Sequence, residues 1–193
     1  MREIVLATRN PGKLAEMGEI AAEYGIRLLP LPDAVALPPE TGTTYLENAR
    51  TKARAGFAAT GRPVLADDSG IEVDFLSGSP GVYSARFSGE GATDASNNAL
   101  LLARLGDTRR RSGRYRAVLV LTSSEGEWTA QDVWEGEILK ESRGQGGFGY
   151  DPLFFVPELG LTAAELSRIE KSRHSHRGKA LRRLLSLLAE SGA

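Results

Sequence analysis

The chain has 193 residues, enough for one sizeable α/β domain with room for two lobes. With 41% hydrophobic and 25% charged residues and a net charge of -1, it is an ordinary globular composition without the basic excess of a bulk nucleic-acid or membrane binder. There is no cysteine, which excludes disulfides, thiol catalysis and cysteine-held zinc.

The opening Met-Arg-Glu-Ile is too short an apolar run for a signal peptide, and no stretch approaches the ~20 apolar residues of a membrane span, so a cytoplasmic protein is expected. Residues 3–7 read as a short buried strand and 8–13 as a loop. Leu14, Met17, Ile20, Ala21 and Tyr24 recur at helical spacing until Gly25 ends the run. A second strand is expected near 27–31, then a proline-rich linker over 30–42. Thr44-Tyr45-Leu46-Glu47 is a capping box that opens a helix to Gly61. Residues 64–66 and 71–75 read as strands joined by Asp67-Asp68-Ser69-Gly70, a turn-forming set. A Gly/Ser-rich loop follows over 77–93, a helix over 94–105, and strands at 114–122 and 128–138 around a Ser-Glu-Gly turn. After the glycine-rich 144–152 comes a strand at 153–156. Thr162-Ala163-Ala164-Glu165 predicts another capping box and a helix to about 171. Ser175 caps a last helix whose core stripe is Leu181, Leu184, Leu185 and Leu188. Strands interleaved with helices, plus one antiparallel hairpin, give an α/β domain with a mixed sheet.

The adjacent acids Asp67 and Asp68 carry two readings. As a hairpin turn they need no ligand. As neighbours ~5 Å apart they repel by roughly 1 kcal/mol in water and about 3 kcal/mol at an effective dielectric of 20, which a divalent cation would offset. Magnesium is held by one or two carboxylates together with substrate phosphates.

Phosphate has its own signals. Cations stand where helices start: Lys13 at the first, His176-Arg177 at the last, with Arg9 in the first loop. A helix N-terminus favours anions, so such cations either bend into solvent or share an anionic ligand. The 8–13 loop lacks the first glycine of a Walker A motif. Phe148, between Gly147 and Gly149, is either a base-stacking platform or a core plug. His174 and His176 lack the further ligands of a zinc site. Asn48 and Lys52 are four apart and share a helix face, in a site or in solvent.

Taken together, A-T-R-N-P-G-K, E-T-G-T-T-Y-L-E-N-A, A-D-D-S-G-I-E-V-D, G-V-Y-S-A-R-F-S-G, G-G-F-G-Y-D-P-L-F-F and E-K-S-R-H-S-H-R-G-K-A-L, in that order, resemble the inosine triphosphate pyrophosphatase family over nearly the whole chain. The resemblance implies an elongated two-lobed α/β fold with a central mixed β-sheet flanked by helices and an active-site cleft between the lobes. It implies one domain over 1–193, a homodimer, and Mg2+-dependent hydrolysis of ITP, dITP and XTP to the monophosphate and pyrophosphate. No nucleic-acid or membrane partner is expected. On this resemblance Thr8, Arg9, Asn10, Pro11, Gly12 and Lys13 hold the triphosphate, and Glu40 and Asp68 bind Mg2+. Asp68 also activates water, and Ser69 contacts substrate. Phe148, Gly149, Tyr150 and Asp151 line the base pocket. Lys171, His176 and Arg177 complete the nucleotide site, the last two as donors to a 6-oxo purine. Asp67, Lys52 and Asn48 are neighbours of less defined role. Arg9 departs from the family, where this position is small or Asn; His174 is given no role. The competing readings are a related pyrophosphatase for other modified nucleotides and a non-catalytic nucleotide sensor.

Overall fold

The computed structural model describes residues 2–191; Met1, Gly192 and Ala193, at the ends of the expected 1–193 domain, lie outside the described residues. Seven strands form one sheet: β1 (Arg2–Leu6), β2 (Ile26–Pro30), β3 (Val64–Val73), β4 (Ser112–Ser123), β5 (Gly126–Ile138), β6 (Phe154–Val156) and β7 (Leu161–Thr162). Their spatial order is β2-β1-β3-β4-β5-β6-β7. β1 runs parallel to β2 and β3, whereas β6 is antiparallel to β5 and β7, so the sheet is mixed as expected. Among the described residues five α-helices flank it: α1 (Pro11–Glu23), α2 (Tyr45–Thr60), α3 (Asp94–Leu105), α4 (Arg168–His174) and α5 (His176–Ser191). Among the described residues no helix is long and apolar enough to cross a membrane.

Local chemistry sets the helix limits. Asn10 caps α1 and Pro11 takes its first position, where a missing N–H costs nothing. Thr44 and Glu47 form the expected capping box of α2, which ends at Gly61 with φ +64°. Thr93 and Ser96 cap α3 in the same reciprocal manner.

Two expectations are corrected. Asp67-Asp68-Ser69-Gly70 is no turn, because β3 runs unbroken through it. The carboxylates find partners across the strand's faces instead of bonding their own backbone. Nor does the 162–165 box open a helix. Glu165 does accept the Thr162 N–H at 2.7 Å, but Thr162 lies in β7 opposite Phe155, and the helix starts later, capped by Ser167 and Glu170. Strand pairing takes the backbone that the helix would need.

The chain divides into two compact units. The first takes residues up to Asp68, Ala117–Asp132 and those from His176 on; the second takes Ser69–Arg116 and Val133–Ser175. In the first unit successive strand residues point to opposite faces. Ile4, Leu6 and Leu65 pack with Met17 and Ile20 of α1 and Leu181, Leu184, Leu185 and Leu188 of α5. Val5, Val64 and Ala66 pack with Ala49 and Ala53 of α2. The second unit builds its core from Ile71, Val73, Leu101, Trp134, Leu153 and Phe154, with the Phe154 ring 4.5 Å from that of Tyr115.

Gly136 of β5 has no room for a side chain: a Cβ there would lie 2.5 Å from the Phe155 carbonyl oxygen and 2.6 Å from Phe154 Cζ. Gly136→Ala should therefore lower stability by about 1–3 kcal/mol. Gly18, inside α1 with open space around it, should behave oppositely, Gly18→Ala adding roughly 0.5–1 kcal/mol. Urea unfolding midpoints of the two variants check both signs.

Candidate active site

The face alternation of the first unit continues past Ala66. Leu65 and Asp67 share the α1/α5 face, and Ala66 and Asp68 the α2 face. Asp67 and Asp68 are 1% and 5% exposed, so each needs its own compensation. At Asp67, Oδ2 accepts Lys13 Nζ at 2.8 Å and Arg177 Nε at 3.3 Å, and Arg177 Nη1 continues to Glu16 Oε2 at 2.9 Å. Burial works against the Asp67 charge, but Lys13, Arg177 and Lys52 outweigh it and hold the carboxyl below the usual range. The same acids hold the Arg177 guanidinium charged against its burial.

On the other face, Asp68 Oδ2 accepts Asn48 Nδ2 at 2.9 Å, and Asp68 Oδ1 lies 3.8 Å from Lys52 Nζ. Lys52 also bonds Glu40. Asn48 Oδ1 accepts the Gly42 N–H at 2.8 Å, which ties the end of the 30–42 linker, and Glu40 with it, to α2. Burial is the largest influence on Asp68. With Glu40 added, it overcomes Lys52 and Asn48 and pushes the carboxyl up to about 6. Lys52 stays charged because Asp67, Glu40 and Asp68 outweigh its own burial. The pair thus holds two carboxyls of different proton affinity, a common arrangement for dividing electrostatic and proton-transfer roles.

Thr8 Oγ1 accepts the Asn10 N–H, and Asn10 Oδ1 accepts those of Gly12 and Lys13. The donors at the start of α1 therefore serve its cap, and in this loop the Lys13 ammonium is the group suited to an anion. Arg9 is turned elsewhere. Its guanidinium donates to the carbonyls of Leu31, Pro32, Asp33 and Val35 and to the Asp33 carboxylate. In this arrangement it braces the linker, the altered loop role that its departure from the family allowed. His176 is buried as the first residue of α5, beside Arg177. Arg177, expected as a base-end donor, joins Asp67 to Glu16 in this structure.

The second unit holds the remaining candidates. Asp151, 3% exposed, accepts Tyr115 Oη at 3.2 Å, the Phe148 N–H at 2.9 Å and Lys171 Nζ. Lys171 Nζ stands 4.7 Å above the Phe148 ring. Gly147 has φ +72°, and any Cβ on it would collide with the Asp151 carboxylate, so glycine is required there. Phe148 is half-buried and outside the core cluster, so it is no core plug. Tyr150 is a core residue whose hydroxyl donates to the Ser84 carbonyl. Ser69, half-buried, follows Asp68 in β3.

Glu16 and Tyr115 were not singled out from sequence. Glu16 lies three residues after Lys13 on α1, a same-face spacing that carried the signal. Nothing local marks Tyr115.

The sequence profile of the Ham1 family matches residues 4–187. The chain belongs to the Ham1 family. A dITP/XTP pyrophosphatase of Thioalkalivibrio sulfidiphilus is 50% identical over 96% of this chain and 98% of its own length. One from Thermus thermophilus is 54% identical over 95% of this chain and 90% of its own. The solved HAM1 protein of Coxiella burnetii superposes with a TM-score of 0.89 at 45% identity, over 98% of this chain and all of that one. These matches bear out the family recognition and the mixed-sheet α/β fold of this Ham1 chain.

Asp68 makes stability depend on pH. Its folded value of about 6 lies above the ordinary 3.8, so its contribution is complete below about 3.8 and is lost as pH rises through about 6. In chelator-treated protein, Asp68→Asn should stabilise the fold by about 1–3 kcal/mol at pH 7.5 and by nearly nothing at pH 4. Urea midpoints at the two pH values test this.

Proposed function

We propose that the chain hydrolyses non-standard purine nucleoside triphosphates, of the dITP and XTP class, to the monophosphate and pyrophosphate. One observation carries the reading: a buried carboxyl, Asp68, fixed by Asn48 and set beside Glu40 and Lys52, with its proton affinity raised to about 6. A base works best when its pKa lies near the working pH. The names of the relatives support the substrate class.

Lys13, with Arg177 behind it on Asp67, supplies positive charge for the outer phosphates. Asp68 takes the proton of a water directed at the α-phosphorus, which makes pyrophosphate the leaving group. Asp67 stays ionised throughout and holds Lys13 and Arg177 in place. Phe148 stacks on the purine, with Lys171 held over its ring by Asp151.

Among the described residues no group of three or more acids and histidines stands ready to hold a metal ion. Two carboxylates, Glu40 and Asp68, with the lone cation Lys52 shared between them, do fit Mg2+, a hard ion that takes one or two carboxylates and completes its shell with water and phosphate. Glu40 and Asp68 would hold it, and when bound it would neutralise charge on the phosphates. The profile's span supports a single catalytic domain over 1–193. The family resemblance supports a homodimer, which sedimentation tests, and the short apolar runs of the sequence support a cytoplasmic location.

The experiment is pyrophosphate release from a panel of nucleoside triphosphates over a Mg2+ titration. ITP, dITP and XTP should be preferred over ATP, with no diphosphate formed first. A preferred substrate outside the 6-oxo purines would point to another modified nucleotide, and binding without turnover to a sensor. Asp68→Asn should lower kcat at least ~100-fold, as expected for removal of a general base, while remaining folded. Glu40→Gln should raise the Mg2+ concentration needed for half-maximal rate more than it lowers the saturated rate. An unchanged Mg2+ dependence would assign Glu40 to the linker alone.

A further inference from the structure

Phe148 sits in a loop with little packing of its own. Residues 141–147 are exposed, and Phe148 and Gly149 border a cavity of about 530 Å3 shared with Asp94, Asn98, Gln145 and Pro152. A ring beside a cavity is not fixed by contact alone. Two side chains of α3 reach the next residue. Asp94 Oδ2 accepts the Gly149 N–H at 2.6 Å, and Asn98 Nδ2 donates to the Gly149 carbonyl at 2.9 Å. Both polar groups of one peptide residue are thus held by positions four apart on one helix face. Gly149 has φ +63°, a conformation that other residues rarely adopt. On the other side, the Phe148 N–H is held by Asp151.

We infer that Asp94 and Asn98 are positioning residues, a two-point clamp on Gly149 that sets the place of the Phe148 ring and so the enzyme's affinity for the purine. The inference rests on the stacking role proposed for Phe148. A clamp of this kind acts on binding, so it should appear in KM and leave kcat nearly intact. Asn98 fits the task because a carboxamide can donate to a carbonyl; an aspartate of the same shape would face it with an acceptor. Asp94 acts only as an acceptor, so asparagine can replace it.

The test combines kinetics with ITP and amide hydrogen exchange of the 144–152 segment. Asn98→Ala and Asn98→Asp should each raise KM about fivefold or more, a share of the roughly 5- to 150-fold expected for losing base–aromatic stacking, with kcat within about twofold. Exchange at Gly149 should quicken in both. Asp94→Ala should follow them and Asp94→Asn should restore the parent KM. In a Phe148→Ala background the Asn98 substitutions should add nothing to KM. If Phe148→Ala raises KM while the α3 variants do not, or if their effects persist undiminished without the ring, the clamp is overturned. If Phe148→Ala leaves KM unchanged, the stacking role falls, and the inference with it. Asn98→Asp keeps the side chain's size, and unfolding midpoints matched to the parent separate the effect from loss of fold.

Discussion

Everything in the first unit turns on β3 staying extended through Asp67 and Asp68. An extended backbone sends successive side chains to opposite faces. Two adjacent carboxylates are thereby parted by the strand itself, and each meets a different helix layer. Desolvating a carboxylate is costly unless it is paired, so each face must bring its own donors. Lys13 and Arg177 do this from the starts of α1 and α5, and Asn48 and Lys52 from α2. The resulting asymmetry separates the two acids. Asp67 has two close cations and stays ionised. Asp68 shares one lysine with Glu40 and is drawn toward protonation.

The register of the parallel strands places these groups together. β1 pairs with β3 at Leu6 and Leu65, so β1 gives way to its loop just where β3 carries on through the two acids, and the loop lies beside them. Ligands of α/β sheets commonly bind beyond the carboxyl ends of parallel strands. The cations at the helix starts, unfavourable by the helix dipole alone, are held by Asp67 rather than left to solvent. A site of this sort stores unfavourable charge that a loaded substrate would relieve, and removing the charge is expected to stabilise the fold while abolishing function.

In the second unit, the glycines around Phe148 serve close approach as much as flexibility. Gly147 leaves room for the Asp151 carboxylate, which in turn gathers Tyr115, Lys171 and the Phe148 backbone. A single buried acid therefore links β4, α4 and the glycine-rich loop. The half-buried ring has held backbone on both sides, its own N–H on Asp151 and both polar groups of Gly149 on α3.

The family, the mixed α/β class and most helix limits were legible in the sequence, and so were the residues proposed for the site. Caps such as Thr44 with Glu47 and stops such as Gly61 act within one turn, and an apolar period is visible wherever a helix covers a sheet. Six ordered motifs marked the family. That Asp67-Asp68-Ser69-Gly70 continues a strand is visible in the folded chain alone, because turn propensity is local whereas the carboxylates' partners come from residues as far away as Lys13 and Arg177. The tertiary structure likewise decided that Arg9 braces the linker, that Tyr150 belongs to the core, and that Asp94, Asn98 and Tyr115 hold the Phe148 loop. Each of those roles depends on which distant backbone or side-chain group a residue meets, and no pattern of neighbours in the chain encodes that meeting.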